Sequence, residues 1–202
     1  GFDRINVPSV LTTLVTDELD FPNLSMVGVD DRAAAYTAVD YLIRQGHRKI
    51  AVLGGPVTSY PSLMRRQGAQ QAMEDAGIVF NDKLYGLSNY DFESAYHAMN
   101  SLLARRAEFT ALFAMSDVIA FGAIRALVSA GLRVPEDVSV IGFDGITMSR
   151  YCVPVMTTIV QPSEQIALQS IELLVRQIEH GSPAQTVTLQ PELQQGESVR
   201  AI

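Results

Sequence analysis

The chain has 202 residues and a formal net charge of −7; 48% of its residues are hydrophobic and 18% are charged. This length and composition suffice to bury the core of one domain or of two small lobes. An acidic surface repels nucleic-acid phosphates, so we do not expect these residues to bind DNA themselves.

The cysteine usage and the hydropathy pattern limit the possible compartment. A single cysteine, Cys152, excludes an intrachain disulfide and fits a cytoplasmic protein. No apolar stretch approaches the roughly 20 residues that span a bilayer, and no signal-peptide pattern opens the chain. We therefore expect no membrane contact. Residues 1–4 resemble the middle of a domain, because no Met precedes them, and we expect a fragment.

Short apolar runs, rich in β-branched or aromatic residues and bounded by Gly, Pro or Asp, predict buried strands. In chain order these runs are Val7–Val15, Met26–Val29, Ile50–Leu53, Thr110–Met115, Val138–Phe143 and Thr157–Val160.

Amphipathic stretches lie between the runs and predict five helices, at Arg32–Gln45, Leu63–Ala76, Phe92–Arg105, Asp117–Ala130 and Ser163–His180. Four of them meet a glycine that can close a helix in the left-handed conformation, at Gly46, Gly77, Gly131 and Gly181. The predicted N-caps are Asp31, Asp117 and Ser163. The last helix is expected to place on one face Ala167, Ile171, Leu174, Val175 and Ile178.

Alternation of strands and helices predicts parallel sheets joined by right-handed crossovers, which is an α/β doubly wound architecture. Ligands of such folds bind beyond the carboxyl ends of the strands. That edge is therefore where we look for a site.

Several common active-site motifs are missing from this chain. It has no G-x-G-x-x-G, no G-x-x-x-x-G-K-S/T and no G-x-S-x-G. His47, His97 and His180 are scattered and form no metal-binding spacing. We read His47 as structural, Cys152 as a small buried or interface residue, and expect no enzyme activity, no cofactor and no metal.

Polar and aromatic residues do follow the predicted strands, where they suit a small polyhydroxylated or heterocyclic ligand. The candidate ligand-binding residues are Arg65, Tyr90, Ser116, Asp117, Asp144 and Gln161. Arg66 is an alternative to Arg65 as the arginine that contacts the ligand. A role as the N-cap of a helix explains Asp117 as well as ligand contact does.

Five sequence motifs of this chain resemble motifs of the lac repressor family, and they occur in the same order as in that family. The two longest are Gly46–Ala51, which resembles G-H-R/K-x-I-A, and Val134–Asp144, which resembles V-P-x-D-V/I-S-V/L-V/I-G-F/Y-D. The others are Arg65 with Gly68, Ser116-Asp117 with Ala120 and Gly122, and Pro154 followed by Thr157-Thr158-Ile159 and Gln161-Pro162. Together they cover essentially the whole chain.

The resemblance implies a periplasmic-binding-protein-like fold of two lobes, with an incomplete first lobe. Residues 1–30 would end the first lobe and residues 31–156 would form the second. Residues 157–183 would return to the first lobe, and residues 184–202 would cross back and form a C-terminal tail. The family's DNA-reading helix-turn-helix has no counterpart in this sequence.

The resemblance also implies a function. It makes Arg65 the effector arginine, Asp144 the strand-end aspartate and Tyr90 the aromatic stacking residue. Ser116 and Gln161 match further ligand-contacting positions. The chain would be the effector-binding part of a cytoplasmic transcription regulator that senses a sugar-like small molecule in an inter-lobe cleft. It would form a homodimer through residues 117–130 and 150–152 and reach DNA only through the absent helix-turn-helix.

Two other functions stay open at this point. A periplasmic sugar receptor of a transport system is favoured by Gly145, because Gly-Phe-Asp-Gly is common in such receptors. An α/β enzyme, such as a sugar-modifying hydrolase, would be recognised by turnover rather than by binding alone.

Overall fold

The computed structural model describes residues 6–19 and 21–202. The expectation about residues 1–4 lies outside the described residues. The strands are β1 Ser9–Thr12, β2 Leu24–Val29, β3 Ile50–Gly54, β4 Tyr85–Leu87, β5 Ala111–Ala114, β6 Ser139–Asp144, β7 Thr157–Val160, β8 Thr186–Leu189 and β9 Glu192–Gln194. The α-helices are α1 Asp31–Arg44, α2 Tyr60–Asp75, α3 Phe92–Ala104, α4 Asp117–Ser129 and α5 Ser163–His180.

The chain forms two units, each with its own sheet; the smaller sheet is parallel, and the larger sheet is parallel except for β9. The smaller unit holds the described residues up to Asp30 together with Gln161–Pro191, and its sheet has the order β1-β2-β8. The larger unit holds Asp31–Val160 and Glu192–Ile202, with the order β4-β3-β5-β6-β7-β9. The predicted α/β class with doubly wound parallel sheets is confirmed.

The larger sheet reverses its strand order around β3, which pairs with β4 on one side and β5 on the other. Strand β3 is completely buried, as expected for a central strand covered by helices on both faces. The carboxyl ends of β3 and β5 flank the point of reversal, where open α/β sheets bind their ligands.

Two predicted lobe boundaries are wrong. Strand β7 was expected to return to the first lobe, but it pairs with β6 in the larger sheet. Strand β8 was expected to lead back to the second lobe, but it pairs with β2 in the smaller sheet. In the structure the boundaries between the two units lie at residues 161 and 192, whereas the predicted boundaries were at residues 157 and 184. The prediction was wrong because an apolar pattern identifies a strand but not the strand with which it pairs.

Two short strands were missed. Strands β4 and β9 have three residues each, which is too short to show a two-residue periodicity. Strand β9 runs antiparallel to β7 and closes one edge of the larger sheet. The run Val7–Val15 is shorter in the structure, where only Ser9–Thr12 forms a strand.

The helix ends confirm the glycine prediction and correct the caps. Gly46, Gly77, Gly131 and Gly181 all have positive φ, between 62° and 98°. Helix α4 is capped by Ser116 rather than Asp117, and Pro162 rather than Ser163 precedes α5 without a side-chain cap. Asp31 is the first residue of α1.

Helix α5 packs on β1, β2 and β8 through a different face from the one predicted. Its buried residues are Ile166, Ser170, Leu173 and Gln177, whereas exposed apolar side chains occur at Leu168, Ile171, Val175 and Ile178. Apolar residues occupy two stripes of this helix, and periodicity alone does not tell which one meets the sheet.

Helices α1 and α2 pack closely at Gly68, because a Cβ there would lie 2.0 Å from the Arg32 carbonyl oxygen. Ala usually stabilises a helix interior relative to Gly. At this position we expect Gly68→Ala to lower the free energy of unfolding by about 1–3 kcal/mol, since the two helix backbones must separate. Urea unfolding measures the change. The exposed neighbour Gln67→Ala serves as control and should stay within about 0.5 kcal/mol of the unsubstituted chain; a stabilised Gly68→Ala variant would contradict the close packing.

Candidate functional site

The candidate site is centred on Arg65, whose side chain projects from α2 at the carboxyl edge of the larger sheet. Its Nε donates to Asp31 Oδ1 at 2.7 Å, and its Nη1 donates to the Met115 carbonyl oxygen at 2.5 Å. Asp144 Oδ1 lies 3.6 Å from Nη1, and the Phe143 ring centroid lies 3.7 Å from Cζ. The guanidinium is therefore held at once by α1, by the residue that follows β5 and by β6, and only 6% of the residue is exposed.

Asp31 fixes the orientation of Arg65. From the sequence, Asp31 was predicted only to lie at the start of a helix. The residue is 5% exposed, so the pair is a buried, charge-assisted hydrogen bond. The only sequence signal was the acidic pair Asp30-Asp31 directly after a buried strand, and such a pair is also typical of a helix start. No pattern in the sequence connects it with Arg65, which lies 34 residues later.

Asp144 ends β6 in a strained backbone conformation, with φ of 113°. A non-glycine residue in this region costs about 1–3 kcal/mol, and such strain clusters at functional sites. Its side chain is 27% exposed, so the carboxylate beside Arg65 remains accessible from outside the protein. The following Gly145 is required by packing, since a Cβ there would lie 2.7 Å from Val160 Cγ2.

Tyr90 lies against the loop after β3. A Cβ on Gly55 would lie 2.1 Å from Tyr90 Cε2, so the ring rests directly on the glycine backbone. The Tyr90 hydroxyl is buried, and among the described residues it has no hydrogen-bond partner. An unsatisfied buried hydroxyl costs about 1–3 kcal/mol, so a ligand oxygen here would recover that energy.

Ser116 and Asp117 have structural contacts. The Ser116 Oγ accepts from the Ile119 backbone N–H at 3.1 Å and caps α4. Asp117 is fully buried; its Oδ1 accepts from the Thr158 hydroxyl at 2.6 Å and its Oδ2 from the Ile146 N–H at 2.9 Å. These bonds tie α4 to β7 and to the loop after Asp144.

Burial raises the pKa of the Asp117 carboxyl to about 6. Loss of hydration disfavours the charged form most strongly, and the nearby negative charge of Asp144 acts in the same direction. The hydrogen bonds from Thr158 and from the backbone N–H groups of Ile146 and Gly145 oppose this rise.

The last predicted residue, Gln161, belongs to the smaller unit. The structure thus brings Arg65 and Asp144 together and places Tyr90 and Ser116 along the same edge of the larger sheet. Ligand contact stays a prediction for all six residues, Arg65, Tyr90, Ser116, Asp117, Asp144 and Gln161.

The remaining candidate groups have local structural partners. His47 is 1% exposed; its Nδ1 lies 2.9 Å from Thr110 Oγ1, and its Nε2 lies 3.1 Å from the Arg200 carbonyl oxygen. Burial lowers the pKa of this imidazole, and burial raises the pKa of the Cys152 thiol. Among the residues that the structure describes, no three His, Cys, Asp or Glu side chains form a group that could hold a metal ion.

Membrane insertion through a helix finds no support in the described part of the chain, where no helix combines the length and the apolar character that a span needs.

The fold matches one known class of proteins. The family model of the periplasmic binding protein-like domain matches residues 39–199. The chain therefore belongs to the periplasmic binding protein-like family, and its curated relatives and structural neighbours are LacI-family regulators. The predicted resemblance to the lac repressor family is confirmed.

Three similar proteins illustrate the relationship. The transcriptional regulator MalR of Clostridium butyricum is 37% identical over 98% of this chain and 59% of its own. The solved complex of the regulator CelR with cellobiose is 33% identical, with a TM-score of 0.84, over 89% of this chain and 56% of its own. A sugar-binding LacI-family regulator from Escherichia coli, solved with phosphate, is 32% identical with a TM-score of 0.80, over 89% and 69%.

The chain thus spans well under two thirds of the length of MalR and of CelR.

Proposed function

We propose that this chain is the effector-binding and dimerisation part of a bacterial LacI-type transcription regulator. It senses a small sugar-like molecule, and it reaches DNA through a helix-turn-helix that lies outside this sequence. The proposal includes a cytoplasmic location and the absence of enzyme activity. The observation that carries it is the buried Arg65 guanidinium beside the strained, accessible Asp144 carboxylate at the edge where α/β sheets bind ligands. The kinship with LacI-family regulators favours this function over a transport receptor.

The contacts of Arg65 favour an uncharged ligand. Its positive charge is already met by Asp31 at 2.7 Å and faces Asp144 at 3.6 Å, so the three groups together carry a net negative charge. An incoming phosphate or carboxylate would gain little from Arg65 and would be repelled by Asp144. A hydroxyl can donate to the Asp144 carboxylate and accept from a guanidinium N–H, whereas an anion can only accept.

Dimerisation has support from exposed apolar residues on the larger unit. Around α4 and the turn that follows β6, exposed side chains occur at Phe92, Val128, Met148, Tyr151 and Val153. The Phe92 and Phe121 rings are stacked with centroids 6.2 Å apart, which adds a flat aromatic surface to this region. Exposed apolar patches mark protein interfaces, and a dimer formed here would remove these side chains from water.

Isothermal titration calorimetry with cellobiose, ribose and ribose 5-phosphate tests the site and its preference. We expect at least one neutral sugar to bind, and the phosphate ester to bind at least about tenfold more weakly than ribose, because Asp144 repels it. Arg65→Ala should weaken sugar binding by more than about 1.5 kcal/mol. Arg176→Ala, at an exposed arginine on α5, is the control.

The possible outcomes separate the site from its selectivity. Sugar binding that is unchanged in Arg65→Ala would remove Arg65 from the site. Tighter binding of ribose 5-phosphate than of ribose would overturn the preference for a neutral ligand and leave the regulator function standing.

A further inference from the structure

A cavity opens at the amino-terminal edge of the larger sheet, opposite the edge that carries Arg65 and Asp144. It has a volume of about 360 Å³ and lies between the start of β3, the last turns of α2 and the segment before β5. Cavities that bind small molecules measure roughly 300–1,000 Å³. The candidate effector site is at the carboxyl ends of the same strands, so the two sites do not overlap.

The floor of this cavity is apolar and held by the core. Ile50, Met73 and Leu84 line it, with exposures of 5%, 2% and 6%. One wall is Val79, which is 87% exposed although it is a β-branched apolar residue. An apolar body placed between Val79 and this floor would remove that side chain from water.

The charged residues that line the cavity are Arg48, Lys49 and Glu108, which together carry one net positive charge. Lys49 and Arg48 both line it, and Lys49 Nζ is neutralised by Glu108 Oε2 at 2.5 Å. Arg48 has only a long contact, with its Nη1 3.5 Å from the Ala76 carbonyl oxygen, and no carboxylate partner among the described residues. On a chain of net charge −7, an arginine without an acidic partner beside an apolar cavity suits an anionic group.

We propose that this cavity binds a small amphipathic anion, with an aromatic or branched aliphatic body on Met73 and Leu84 and a carboxylate on Arg48. The body supplies apolar burial, and the head group supplies a charge-assisted hydrogen bond. This site is independent of the proposed effector site, because it shares no residue with it.

The test is a nuclear magnetic resonance titration of the ¹⁵N-labelled chain with 3-phenylpropionate and with its uncharged amide. The acid should bind with a Kd of about 1 mM or tighter and shift the amide signals of residues 48–50, 73, 79 and 84. The amide, which keeps the ring and loses the charge, should bind at least about tenfold more weakly.

Two surface variants separate charge from shape. Arg48→Gln should weaken binding of the acid by about tenfold, and Val79→Asp should abolish it by placing a carboxylate on the wall. Both residues are exposed, so the fold should tolerate the changes. Arg176→Gln, which changes an exposed arginine of the smaller unit outside the cavity, should leave binding unchanged. Absence of shifts at these residues, equal binding of acid and amide, or unaltered binding in Arg48→Gln would overturn the proposal.

Discussion

Arg65→Met is expected to lower the free energy of unfolding by about 3–5 kcal/mol. The substitution keeps most of the apolar volume of the side chain but removes the charge that Asp31 and Asp144 face. Asp31 is nearly inaccessible to water and would be left as a buried carboxylate without its cation. Such an uncompensated charge costs far more than the loss of a surface ion pair.

A double-mutant cycle isolates this effect from the loss of other Arg65 contacts. Asp31→Asn removes the negative charge, so the double variant Arg65→Met, Asp31→Asn should recover a large part of the stability that Arg65→Met loses. Urea unfolding of the four proteins measures the coupling between the two residues. Arg44→Met, which removes an exposed arginine and its surface ion pair with Asp40, should change stability by less than about 1 kcal/mol. Additive effects of the two substitutions would show that the pair is not coupled.

Asp117 should make the chain less stable as the pH rises from about 4 to about 6. In the folded chain the pKa of its carboxyl is raised from 3.8 to about 6, so the folded state holds the proton over this range while the unfolded state has released it. The stabilisation is complete below the unfolded-state pKa and is lost as the pH passes the folded-state pKa. The difference corresponds to about 3 kcal/mol.

Comparison of pH profiles isolates Asp117 from the other titrating groups. Asp117→Asn keeps a side-chain oxygen for the Ile146 N–H and has no proton to release, so the difference between the two unfolding profiles should follow the titration of Asp117 alone. Thr158→Val removes a hydrogen bond to the charged form and should extend the fall to higher pH. Parallel profiles for the Asp117→Asn and unsubstituted proteins would contradict the raised pKa.

The sequence predicted most of the regular structure because nearly all the larger elements have a clear apolar period. Strand β7 and helix α5 have the predicted bounds, and each end of the other helices lies within three residues of its predicted position. The apolar period did not predict which face of α5 is exposed or to which sheet β7 belongs. Both depend on contacts between segments far apart in the chain, which a local pattern does not report.

The candidate site was also predicted only in part. Arg65 and Asp144 follow strands, and their positions alone indicated the ligand-binding edge. Asp31 was missed because a carboxylate at the first residue of a helix is adequately explained by the helix dipole. Asp117 was predicted to be the N-cap because Ser116 and Asp117 are equally suitable cap residues. Only the structure shows that the Ser116 oxygen accepts the backbone hydrogen bond.

The division of the chain between the two units has a consequence for the order of folding during synthesis. The larger unit is nearly continuous in sequence, whereas the smaller sheet joins β2 to β8 across more than 150 intervening residues. Closing so long a loop is entropically expensive and slow unless the intervening chain has already become compact. The ribosome releases most of the larger unit before β8, so that unit can collapse first and shorten the distance. We therefore expect the smaller sheet to be the last to acquire native order.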